Sequence, residues 1–174
     1  NDLLTALVKI DGVYVPSLYS VNYNPDGTIS DITPNHPGIP EKVTKRIVSV
    51  LPSHPTKFLV PNVEIVHDRM SVEIMRGCTR GCRFCHAGMV NRPVRQRDVS
   101  DIIPVIQEAV DATGYDEVGL LSLSSSDHTQ ILDLTQQVYD CFHDQKLAFS
   151  LPSLRIESFS LDLMDELKEL KPGG

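Results

Sequence analysis

The feature that most constrains this chain begins near Asn62, where short apolar runs alternate three times with amphipathic stretches of helical period. Val72-Glu73-Ile74-Met75 predicts a first strand ending at Gly77. Ser100 is placed to cap a helix reaching about Thr113, with Ile102, Ile103, Ile106, Ala109 and Val110 on its apolar side and Pro104 in its first turn. Gly114 is the stop signal. Glu117 to Leu123 predicts a second strand, apolar enough to be buried on both faces. Asp127 is expected to cap the next helix, with Gln130 at the capping-box position. Ile131, Leu134, Val138, Cys141 and Phe142 form its buried stripe, so Cys141 reads as core packing. Leu147 to Leu151 predicts a third strand, and Ser160 a third helix carrying Leu163, Leu167 and Leu170. Successive strand–helix units of this length demand parallel strands joined by right-handed crossovers. The expected class is α/β: a partial, three-unit parallel βα barrel or a small open sheet. Its third strand would be an edge able to pair with another copy of the fragment.

The preceding segment is of another kind. Eight of the twelve prolines lie in the first 61 residues, a density that forbids long helices. Val13-Tyr14-Val15 and Leu18 to Tyr23 are β-prone, Asn24-Pro25-Asp26-Gly27 has turn chemistry, and Thr28-Ile29 can begin a return strand. Ile32 to Pro40 reads as irregular and Val43 to Leu51 as another strand. The expected organisation is therefore a Pro-rich, β-prone arm over 1–61 and the α/β part over 62–174.

The apolar fraction of 41% suffices for a core, which must be aliphatic because aromatics are sparse and Trp is absent. No apolar run is long enough to span a bilayer and no leader pattern is visible, so a cytoplasmic protein without membrane contact is expected. The net charge of −7 speaks against non-specific nucleic-acid binding. The chain starts at Asn1 and ends in Gly173-Gly174 after an expected helix, and it reads as a piece of a longer protein. A Gly-Gly end is also the form of a conjugation tail, but a helix stop accounts for it.

Three of the four cysteines fall within eight consecutive residues, in Met75-Arg76-Gly77-Cys78-Thr79-Arg80-Gly81-Cys82-Arg83-Phe84-Cys85-His86. Cys78, Cys82 and Cys85 cannot all pair with one another, and metal or cluster binding in a reducing compartment fits better than a disulfide framework. The spacing, Cys-x3-Cys-x2-Cys, lies at the C-terminal end of a strand, where α/β folds place their chemistry. Three thiolates can hold three irons of a cubane and leave the fourth open. Gly77 and Gly81 would let the backbone wrap closely, and loop N–H groups can bond the sulfurs. A zinc site with His86 or His67 as fourth ligand is the rival, although only half of the usual paired spacing is present. Around the motif stand six arginines, at 76, 80, 83, 92, 95 and 97, with no acid between 76 and 97. The remainder therefore carries −13, and the basic segment is either one anionic ligand site or a solvated loop.

Cys-x3-Cys-x2-Cys with Phe84 before the last cysteine resembles the signature of radical S-adenosylmethionine (SAM) enzymes. Val66-His67-Asp68-Arg69, Arg92-Pro93-Val94-Arg95 and Leu121-Ser122-Leu123-Ser124-Ser125 extend the resemblance to uncharacterised members with an upstream cobalamin-binding domain. It runs from about Gly12 to the chain end and implies that the arm connects the two domains. It further implies a 4Fe–4S cluster on Cys78, Cys82 and Cys85 and SAM on the open iron. An external electron donor, an unknown substrate and, in the intact protein, cobalamin are implied as well. By position, Phe84 packs beside the adenine, unless it is simply a core aromatic. Ser124-Ser125-Ser126-Asp127 stands where a Gly-Gly-Glu-like motif usually meets the SAM amino group, so Ser125, Ser126 and Asp127 become candidate cofactor contacts. For Asp127, helix capping competes with that role.

Motifs for the ribose and the far side of the adenine belong to strands beyond the third, so this fragment is expected to be inactive alone. His67-Asp68 is a polar site near the barrel mouth or a surface pair. His86 tunes the cluster or is a loop residue. Arg155 meets an anion or pairs with Glu157 or Asp162. Two other functions compete. One is methylthio transfer to RNA or a protein, although no cysteine precedes Cys78. The other is a non-catalytic zinc or Fe–S module.

Overall fold

The computed structural model describes residues 2–63, 65–155, 157 and 165. The chain forms two compact units, Asn1–Ser49 and Val50–Gly174. Among the described residues no helix is long and apolar enough to cross a membrane.

The first unit opens with a short helix, α1 (Asp2–Leu7), followed by strands β1 (Tyr19–Tyr23) and β2 (Ile29–Pro34). These strands pair antiparallel as a hairpin. The Asn24–Gly27 turn is as expected: Gly27 has φ +83°, and Asn24 N–H donates to Thr28 O at 2.8 Å. β2 runs to Pro34, into a stretch expected to be irregular. Two other expectations fail. Val13–Val15 and Val43–Leu51 form no strand; Val15 is buried in a small core with Val8, Leu18, Tyr19 and Ile39, against which Val13 and Val43 pack. Val13, Val15 and Val43 are used for packing, whereas Ile47, Val48 and Val50 are exposed, and the ladder is restricted to the hairpin.

In the second unit, β3 (Met70–Glu73), β6 (Glu117–Leu121) and β7 (Ala148–Ser150) form a parallel sheet in the order β3-β6-β7. Helices α3 (Val99–Thr113) and α4 (Ile131–Phe142) alternate with them, so the α/β strand–helix pattern is real. β7 is an outer strand of the described sheet. Val72, Val118, Leu120 and Phe149 of the sheet share one core with Ile102, Ile106, Leu134, Val138 and Phe142 of the helices. Each such buried side chain contributes about 1.5–3 kcal/mol of transfer free energy.

Several boundaries move. The first strand breaks after Glu73, and Met75–Arg76 forms a separate strand, β4, paired antiparallel with β5 (Arg95–Gln96). α3 begins at Val99, whose side chain is buried, so Asp98 and not Ser100 holds the N-cap position, with no side-chain cap bond. Pro104 thus falls in the second turn, not the first. Gly114 ends the helix as expected, with φ +73° and its N–H on Val110 O at 2.8 Å. The second strand stops at Leu121 and is buried on both faces only over Val118–Leu120; Leu121 is 48% exposed.

Asp127 does not cap α4. It ends a 3-10 turn, Ser125–Asp127, and Gln130 holds the N-cap position. Cys141 is exposed, contrary to its expected packing. On a helix of 3.6 residues per turn it falls about 60° to one side of Val138, just past fully buried Leu134 at about 40°, and so lies outside the buried arc that reaches Thr135 on the other side. The expected helix from Ser160 lies outside the described residues, except for Asp165.

Candidate functional site

The cysteines lie on a loop with a fastened base. β4 and β5 pair Met75 with Gln96 and Arg76 with Arg95, which closes residues 77–94 into one loop. Arg97 N–H donates to Ile74 O at 2.9 Å and Ile74 N–H to Leu121 O at 3.0 Å, joining that base to β6. The loop thus leaves the sheet at the C-terminal end of β3. Beside it is a cavity of about 200 Å³ lined by Met75, Gly77, Leu121, Ser122 and Leu123, among others.

Gly77 is obligatory for the crossing that follows. Its φ is +91°, and a Cβ there would lie 2.7 Å from the carbonyl oxygens of both Asn91 and Pro93. Gly81 is different: a Cβ there would meet only an Arg92 nitrogen, at 4.0 Å. Close wrapping therefore depends on Gly77 and not on Gly81.

All three motif cysteines are free thiols, Cys78 buried and Cys82 and Cys85 half-buried. Each sulfur accepts an N–H. Arg80 N–H reaches Cys78 Sγ at 3.4 Å, and Gly88 N–H reaches Cys85 Sγ at 3.4 Å. Cys85 is thereby the N-cap of the short helix α2 (His86–Val90). The Arg155 guanidinium reaches Cys82 Sγ at 3.7 Å and also pairs with Glu157. Glu157 was one of the two expected partners of Arg155; the contact with Cys82 was not foreseen.

Five of the six arginines of this segment, all but Arg83, make hydrogen bonds that fasten the loop. Arg76 grips Glu73 through two bonds of 2.8 Å, and Arg97 donates to Glu73 O at 2.9 Å. Hydrogen bonding from Arg76 holds the Glu73 carboxyl below the usual carboxylate range. Arg92 donates to Arg80 O, and Arg95 to the carbonyls of Pro93 and Asn91. Among the described residues Arg83 has no hydrogen-bond or ion-pair partner.

Arg80 forms the longest-range tie. It clamps Asp127 with bonds of 2.6 and 3.0 Å, linking the cysteine loop to the turn after β6. Ser124 Oγ also donates to Asp127, at 2.8 Å. These contacts, chiefly the Arg80 hydrogen bonds, depress the Asp127 pKa. Ser125 is fully buried; its hydroxyl donates to Pro152 O at 2.7 Å and meets Ser122 Oγ at 2.9 Å. Ser126 Oγ accepts from Arg155 N–H at 3.4 Å. The three cofactor candidates on this turn are therefore anchored to the cysteine loop and to the segment after β7.

Other candidates are peripheral. Phe84 is 91% exposed, so it is not a core aromatic. His86 is exposed at the start of α2, and His67 and Asp68 are exposed before β3. His128 was not anticipated. It is buried, with Nε2 on Arg97 O at 3.1 Å and Nδ1 accepting from Gln130 N–H at 3.2 Å. Burial pushes its pKa below the ordinary 6.5, against a weaker upward pull from the Arg97 carbonyl.

Residues 72–173, more than half of the chain, match the radical SAM superfamily. The chain belongs to the radical SAM superfamily. An uncharacterized protein of Methanocaldococcus jannaschii is 34% identical over 97 residues, which cover 56% of this chain and 21% of that protein. The chain thus spans about a fifth of the length of this relative. Membership implies an enzyme that uses a 4Fe–4S cluster and SAM. The donor set fits such a group: three free thiols on one loop, each with an N–H directed at its sulfur. Among the described residues no three His, Cys, Asp or Glu side chains are grouped to hold a single metal ion.

Proposed function

We propose that Cys78, Cys82 and Cys85 ligate a 4Fe–4S cluster and that this chain is the cluster-bearing part of an enzyme that cleaves SAM reductively. The observation that supports this reading best is the set of three N–H donors, one on each motif sulfur, in a chain of the radical SAM superfamily. Three thiolates for four irons would leave one iron for SAM, and a cluster held there, once reduced by an external donor, would supply the one electron that reductive cleavage of a SAM carbon–sulfur bond needs.

The chain's own residues hold and shape the site. Backbone N–H groups of Arg80 and Gly88 stabilise thiolate charge on Cys78 and Cys85. Arg155 does the same for Cys82 and brings a full positive charge. Exposed Phe84 offers its face to the adenine. Asp127 acts through Arg80, fixing the loop between the first two ligands. Ser126, which accepts from Arg155 N–H, would be a contact for SAM, and buried Ser125 braces the turn against Pro152. The unknown substrate and the external electron donor are partners of the intact protein. Cobalamin there rests on the resemblance alone, because the family match covers the cluster-bearing half and no upstream domain.

Anaerobic reconstitution with iron and sulfide, followed by EPR of the reduced chain with and without SAM, tests this reading. A cluster signal that SAM shifts, and that Cys82→Ala abolishes, is the expected result. Stoichiometric zinc in place of a cluster would refute it. A cluster indifferent to SAM would refute SAM binding by this chain while leaving the ligands assigned.

A further inference from the structure

We propose that the unit Asn1–Ser49 carries a second ligand site, for a phosphate-bearing ligand with at least two negative charges. This inference is independent of the cluster reading. The unit has four cationic side chains, Lys9, Lys42, Lys45 and Arg46, and all four line one cavity of about 370 Å³. The same unit has five carboxylates, at Asp2, Asp11, Asp26, Asp31 and Glu41, and only Asp11 lines that cavity. The lining therefore carries +4 −1 = +3 within a unit whose total is +4 −5 = −1. Asp26 and Asp31 are engaged on the hairpin, by Thr28 and by Asn22 and Ser30.

This segregation is built by the fold. The cations come from two segments far apart in sequence, beside α1 and beyond the hairpin, which the small core brings together. Gly12 makes their approach possible. Its φ is +83°, and a Cβ there would lie 2.8 Å from Arg46 Cγ and 3.3 Å from Arg46 N. The Arg46 stem thus lies directly on the Gly12 turn. All four cationic residues are exposed, and together they give the cavity a positive field that favours an anion. Lysines supply point charges and the guanidinium a planar fork, the pairing that suits phosphate oxygens. The cavity volume falls within the range of about 300–1,000 Å³ typical of small-ligand sites. Even with Lys45 set aside, Lys9, Lys42 and Arg46 against Asp11 alone leave +3 −1 = +2, a charge that a di- or triphosphate matches better than a single carboxylate.

Isothermal titration of the full chain with sodium tripolyphosphate at low salt tests the site, with ADP and a short single-stranded RNA as parallel probes. One-to-one binding is expected. The double variant Lys42→Gln/Arg46→Gln should weaken it at least about tenfold, as should raised salt. Lys57→Gln, outside this unit, should leave it unchanged. Far-UV circular dichroism and the urea midpoint establish that the variants are folded. ADP binding tighter than tripolyphosphate would identify a nucleotide as the source of the phosphate. RNA that binds and displaces tripolyphosphate would identify a nucleic-acid backbone. No binding of any probe at low salt, or equal binding by the folded double variant, would overturn the proposal.

Discussion

Replacing Gly77 by alanine is expected to destabilise residues 50–174 by about 3 kcal/mol. Two contributions add. An L-residue held at the observed φ of +91° costs roughly 1–2 kcal/mol. The new Cβ would then sit 2.7 Å from two carbonyl oxygens, of Asn91 and Pro93, and 3.1 Å from Val94 Cα. All three obstacles are backbone atoms of the returning limb of the cysteine loop, so no side chain can swing aside. Forcing that limb outward is an overpacking cost of about 1–3 kcal/mol. With a urea m-value of about 2 kcal/mol/M, the midpoint should fall by roughly 1.5 M. Gly81→Ala is the matched control, because its Cβ meets only an Arg92 nitrogen at 4.0 Å. It should stay within about 0.5 kcal/mol of the parent. Urea unfolding followed by circular dichroism reads both variants. Equal midpoints for Gly77→Ala and Gly81→Ala would refute the claim that the loop crossing requires glycine.

Two further results are expected. His128 is buried neutral, with a folded pKa below its unfolded 6.5, so the unfolded chain binds the extra proton first. Its contribution to stability is present above pH 6.5 and is lost as pH falls toward the folded pKa, by up to about 1.4 kcal/mol per pH unit. Urea midpoints at neutral and mildly acid pH should show this slope in the parent and not in His128→Gln; the depressed carboxyls of Glu73 and Asp127 act only at lower pH, below their ordinary 4.5 and 3.8. Asp127→Asn keeps the shape of the turn but removes the charge gripped by Arg80. The reconstituted chain should then lose iron to a chelator about tenfold more readily, measured as bleaching of the cluster absorbance, and unchanged retention would show that the clamp does not support the loop.

The cysteine loop was legible because the family motif is a matter of residue type and spacing, both of which are local. Cys78, Cys82 and Cys85 announce themselves within eight residues, and their place after a strand follows from the apolar run at Val72–Met75. The parallel sheet was legible for the same reason, since Val118–Leu120 and the stripe Ile131, Leu134, Val138 and Phe142 carry their periods openly. Signals shared between competing uses were misread. Asp127 has the chemistry of a helix cap, and only the arrival of Arg80, 47 residues earlier, shows which donor wins it. Val13–Val15 and Val43–Leu51 have β propensity, but a strand needs a partner edge; Val13, Val15 and Val43 went to a small core instead, and Ile47, Val48 and Val50 are exposed. Cys141 lay at helical spacing, yet burial depends on which flank of the helix meets the sheet.

By itself, therefore, the sequence determined the strand–helix alternation, the α/β class and the grouping of three thiols on one loop, because each depends on neighbours within a turn or a few residues. The tertiary structure alone decided that Gly77 must be glycine, that the arginines fasten the loop, that Arg155 reaches Cys82, and that four cations of the first unit converge on one cavity. These depend on which distant segments are brought within a few ångströms, and no local pattern encodes that distance.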